Sequence, residues 1–160
     1  MQFFDKVLSW ILVKLNMLGA VCLVGMMLLT CVDVVGRFFS HPVFGSVELV
    51  GFMATMTVAF ALPYTHQEKG HIGVELLVQT LSPKTQRLID ITTGILSLGL
   101  FILVTWRMIV YGQTMQKSGE VSMNLELPEY IIIYMVALCF LIFTLSLFRD
   151  IIKNITLLKD

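Results

Sequence analysis

Asp33 and Arg37 stand one helical turn apart, and Glu48 follows across a short segment containing His41-Pro42. The spacing makes Asp33 and Arg37 an ion pair if the first helix continues that far, with Glu48 as a competing partner across the turn. Such a set fits an outer-end structural clamp better than a substrate site. A membrane cytochrome would need histidines inside facing helices to hold haem. His41, His66 and His71 instead flank the apolar runs. Cys22 and Cys31 are nine residues apart, on opposite sides of one helix, and Cys139 lies in another apolar run. That leaves no disulfide framework, no CxxC metal site and no cysteine pair in a loop for thiol oxidation. GxSxG and HExxH are both absent. No enzyme activity and no cofactor is expected.

The elements that must position these residues follow from composition. Of 160 residues, 57% are hydrophobic and 14% charged, against roughly 45–50% and about 25% in soluble domains. Eleven basic residues balance eleven acidic ones, so nothing suggests nucleic acid or disorder. The charges leave four gaps of eighteen, nineteen, sixteen and nineteen residues, at 15–32, 49–67, 91–106 and 130–148. At about 1.5 Å per residue each gap approaches the hydrocarbon thickness of about 30 Å. The expected fold is an all-α integral membrane protein of four transmembrane helices, a single domain over residues 1–160. The spans fall at about 12–38, 46–67, 86–112 and 129–149.

The first segment exceeds the usual length of a signal-peptide apolar region and lacks an A-x-A-like cleavage site, so it is read as a retained helix beginning in an amphipathic arm. Ser46 is a candidate cap for the second helix, and Pro63 should kink or loosen its inner end. Ile72, Val74, Leu76, Leu77, Val78 and Leu81, with Glu75 and Gln79 between them, form a stretch too short to span, and part of the pattern also alternates like a strand. The expectation there is a short amphipathic surface helix at about 71–81 on the membrane lipid. Ser82-Pro83 opens a third helix that can run to about Lys117, longer than a bilayer, so it must tilt or protrude. Lysine and arginine number eight in the N-terminal arm, second loop and tail, against three in the other two loops. Both termini are therefore expected in the cytoplasm.

An ion or proton pathway needs ionisable groups inside a span, each costing about 2.5–3.5 kcal/mol at the helix centre on insertion scales. By the gaps alone, Asp33, Arg37, Glu48 and Arg107 sit at outer ends, and Glu68, Lys69 and Asp90 at inner ends. The chain looks ill equipped to transport anything alone. Packing features are more informative. Gly51, Thr55 and Ala59 recur every four residues, and Gly94, Ser97 and Gly99 thin the third helix. These small residues allow close approach, either within the four-helix unit or to a partner chain.

Several stretches together resemble a known family. They are Asp33-x-x-x-Arg37-Phe38, the glutamate Glu48 opening the second helix, Ala59-Phe60-Ala61-Leu62-Pro63-Tyr64, and above all Gly70-His71-Ile72-Gly73-Val74-Glu75. They are similar to the small membrane subunit of tripartite ATP-independent periplasmic (TRAP) transporters, and the resemblance covers nearly the whole chain. It places Gly70, His71 and Glu75 in the family's inner motif and implies a bacterial inner-membrane location. The implied partners are a large transmembrane transport subunit, which moves an organic acid inward with sodium, and a periplasmic substrate-binding protein. The small subunit then braces the large one. Overall likeness leans to the sialic acid type. A stand-alone four-helix homodimeric transporter and a purely structural membrane protein are the alternatives.

In the family reading the binding protein approaches from outside, where Lys117, Glu120, Glu126 and Glu129 form a net acidic stretch that could steer it. The competing reading is of solvated loop residues, with Glu126 and Glu129 serving the positive N-terminus of the fourth helix.

Overall fold

The computed structural model describes residues 2–68 and 83–159. Four helices make up most of them: α1 (Gln2–Phe38), α2 (Ser46–Gln67), α3 (Pro83–Ser118) and α4 (Glu129–Lys159). Each contains a segment long and apolar enough to cross a membrane, so the all-α, four-span architecture is the one expected. The helices overrun the charge-free gaps. α1, α3 and α4 have 37, 36 and 31 residues, or roughly 46–56 Å at 1.5 Å per residue. The expected surface helix at 71–81 lies outside the described residues.

α1 packs on α2, α3 packs on α4, and α2 joins the two hairpins by packing on α4. The helices therefore form a single layer in the order α1, α2, α4, α3. Met56, Ala59 and Phe60 of α2 meet Val136 and Cys139 of α4 at its centre, and Leu15, Cys22, Met108, Ile132 and Phe140 close around them. A one-layer arrangement buries its middle helices and leaves the outer two open. Only 11% and 6% of the apolar windows of α1 and α3 are buried, against 28% and 33% for α2 and α4.

The turn that joins α1 to α2 is set by local chemistry. α1 ends with Ser40 at φ 60°, where the His41 N–H bonds to the Gly36 carbonyl at 2.8 Å and the Ser40 N–H to the Arg37 carbonyl at 3.1 Å. This is the paired 6→1 and 5→2 closure of a Schellman motif, with serine in the left-handed position that glycine usually takes. The cap of α2 differs from expectation. Gly45, left-handed at φ 69°, is the N-cap, and it has no side-chain bond to offer. Ser46 is already the first helical residue and is buried. The reason is steric, since a Cβ at Gly45 would lie 2.5 Å from Leu125 Cγ. α2 then runs through Pro63 to Gln67 without interruption.

The threonine hydroxyls within the spans are satisfied locally, whereas the buried Ser146 hydroxyl has no hydrogen-bond partner among the described residues. Thr30, Thr55, Thr57, Thr65, Thr105 and Thr144 each donate to the carbonyl four residues back, which allows a threonine to sit in hydrocarbon without an orphaned donor.

Candidate functional site: the outer clamp and the packing faces

At the C-terminal end of α1, the Arg37 Nε donates to Asp33 Oδ2 at 2.8 Å. The other carboxylate oxygen, Oδ1, accepts the Val43 N–H at 2.9 Å. Asp33 is 8% exposed, so one buried carboxylate ties the last turn of α1 to the strap that returns into α2. Glu48 does not compete for Arg37. Its Oε1 accepts both the backbone N–H and the Nδ2 of Asn124 at 2.8 Å, and its Oε2 accepts the Leu125 N–H at 3.1 Å. One carboxylate in the first turn of α2 thus holds the α3–α4 loop by three donors.

That loop is itself folded back. The Ser122 N–H bonds to the Leu127 carbonyl at 2.9 Å and the Glu126 N–H to the Ser122 carbonyl at 3.2 Å, while Ser122 Oγ accepts the Leu127 N–H at 3.2 Å. Glu126 adopts a positive φ of 51°. Lys117, Glu120 and Glu126 are exposed around this knot, and Glu129 is half-buried in the first turn of α4.

The stripe Gly51, Thr55, Ala59 is divided. Ala59 lies in the core against α4. Gly51 and Thr55 face outward: a Cβ on Gly51 would meet nothing within 4 Å, and the Thr55 hydroxyl turns back to the Gly51 carbonyl at 2.9 Å. On α3, a Cβ at Gly94 would stand 3.0 Å from Ile151. Ser97 lines an open cleft of about 450 Å³ between α2, α3 and α4, with His66, Phe101 and Phe143 among its walls. At the opposite end of α2, Gln67 Nε2 donates to Ser9 Oγ at 3.3 Å, and His66 Nε2 lies 3.5 Å from Asp150 Oδ2. Gly70, His71 and Glu75 lie outside the described residues.

Two further close helix approaches involve glycines that sequence reasoning passed over. A Cβ at Gly19 would stand 3.3 Å from both the Cβ of Phe60 and the Thr57 carbonyl, and one at Gly112 would stand 2.8 Å from the Tyr134 ring. Gly36 lies under the His41 carbonyl, which a Cβ would strike. The signal at Gly19 and Gly25 was the recurrence of glycine along α1. At Gly112 it was only a lone glycine in an otherwise bulky stretch, which does not reveal its partner.

Four apolar helices, tied at one end by buried and multiply bonded carboxylates, define a multi-pass membrane protein. The family model described as "Tripartite ATP-independent periplasmic transporters, DctQ component" matches residues 26–157. The chain belongs to that family and is the small membrane subunit of a TRAP transporter, a transporter component and not a member of an enzyme family. No match was found among curated proteins or among solved structures. Belonging to a tripartite system implies partners of two kinds, a large permease subunit and a substrate-binding protein.

Proposed function

We propose that this chain braces the large subunit of a sodium-coupled TRAP transporter for an organic acid, with sialic acid as the favoured substrate. It lies in the bacterial inner membrane with both termini in the cytoplasm, and its outer loops help dock the periplasmic binding protein. The observation that carries the bracing role is the one-layer fold. α1 and α3, each long enough to cross the bilayer at a tilt, leave most of their apolar surface uncovered, and a layer of helices with open flanks suits a fixed wall against which a transport domain moves. No carboxylate lies at mid-depth in the charge-free stretches of α1, α2 and α4, which agrees with an accessory role. The orientation rests on the eight-to-three excess of lysine and arginine.

The test is reconstitution. Vesicles containing this chain alone are expected to show no sodium-driven uptake of labelled organic acids above empty vesicles. Vesicles that also contain the large subunit, supplied with loaded binding protein, should take them up. Uptake by the chain alone would overturn the bracing role.

A further inference from the structure

The packing register of α3 against α4 moves a charge to a depth that the gaps in the sequence do not suggest. Phe101 stacks edge-on with Phe140 and Phe143, at centroid distances of 5.7 and 4.5 Å. Eleven residues further along α3, Gly112 lies under Tyr134. Interpolating between these contacts sets Arg107 level with Ala137, about 3 Å from the centre of the charge-free stretch 130–148. The neighbouring helix agrees, because Ala59, at the middle of the α2 gap, shares the core cluster with Val136 and Cys139. Arg107 is therefore a mid-depth residue and does not sit at an outer end. The expectation failed because the gap 91–106 is displaced along α3 relative to the centre of the layer.

Arg107 is exposed, and it makes no hydrogen bond or ion pair among the described residues. Lys14 offers a contrast, since its Nζ reaches back over the Trp10 ring at 5.9 Å, toward the inner water. From mid-depth an arginine is too far from either interface to do the same. Its surroundings are ordered as a seam: Leu96, Leu100, Leu103, Arg107, Val110 and Thr114 recur at alternating intervals of four and three residues and are all exposed. That is the spacing with which one helix packs along another. Gly99, beside the seam, has open space where a Cβ would be, so a second backbone can come close.

A guanidinium at this depth requires a compensating group, and hydrocarbon supplies none. The geometry points to this seam of α3 as the docking face for the large transmembrane subunit, which would present a carboxylate or free helix-end carbonyls to Arg107 at mid-depth. A second copy of this chain fits poorly, because its acids Asp33 and Glu48 lie at the outer end and its own Arg107 would arrive at the same level. The inference rests on the bracing role proposed above.

The test is co-expression of the tagged chain with the large subunit, followed by purification in mild detergent. Arg107→Glu is expected to reduce the recovered large subunit about tenfold or more, and Arg107→Lys much less, because the charge is kept. A photo-reactive residue at Leu103 in the otherwise wild-type chain should give an adduct with the large subunit, and this arm decides the matter if Arg107→Glu fails to insert. Undiminished recovery with a well-inserted Arg107→Glu, or adducts at Leu103 only with a second copy or with lipid, would overturn the inference. Failure of the wild-type chain to recover any large subunit would instead count against the bracing role itself.

Discussion

Glu48 shows how much of the site at residue scale lay in the sequence. Asp33 and Arg37 were legible as a pair because one helical turn separates them, and a local period is enough to bring them together. The partners of Glu48 are the donors of Asn124 and the N–H of Leu125, 76 and 77 positions away. Two of its three bonds go to backbone N–H groups, which every residue type but proline offers, so no residue pattern marks them. Glu48→Ala should release the loop and speed hydrogen exchange at the amides of 124 and 125 by about tenfold or more, as local opening replaces a bonded state. Glu48→Gln, which keeps one acceptor oxygen, should fall between. Exchange measured on the detergent-solubilised chain checks both, and equal protection in all three proteins would show that the loop holds itself.

Elements were legible where charge and length defined them, and illegible where one helix meets another. The four spans follow from the gaps between charges, and the overrun of α3 toward Lys117 follows from the lack of a breaker after Pro83. The packing stripe illustrates the other case, because four-residue spacing does not reveal which small residue faces a neighbour. Gly36→Ala drives a methyl into the His41 carbonyl and should destabilise the α1–α2 corner by about 1–3 kcal/mol, the range for overpacking. Gly51→Ala enters open space and removes a flexible residue from a helix, so the isolated chain should be stabilised by up to about 1 kcal/mol. Thermal unfolding of the purified chain in one detergent measures both. A Gly51→Ala chain that is less stable alone would mean that the face is packed internally after all.

At the scale of the whole molecule, the layer of helices is held together at one end by a chain of contacts. Arg37 to Asp33, Asp33 to Val43, and Glu48 to Asn124 and Leu125 join the α1–α2 turn to the α3–α4 loop. The two connections at this end thus form a single tied surface. Glu120 and Glu126 are exposed on it with Lys117, and neither glutamate has an ion-pair partner among the described residues. The backbone of Glu126 is part of the loop knot, with a positive φ at that residue, two residues from the Glu48 contact at Asn124. Rim charges act on encounter more than on final affinity. Reversing Glu120 and Glu126 to lysine should therefore slow delivery of substrate by the binding protein several-fold at low ionic strength. The defect should shrink at about 0.15 M salt and above, where the screening length falls to about 8 Å or less. Initial uptake rates in vesicles, measured across a salt series with the assembled complex intact, distinguish this from ordinary solvated charge: rates equal to wild type at every salt concentration would remove the steering role and leave the glutamates to the loop and to the N-terminus of α4.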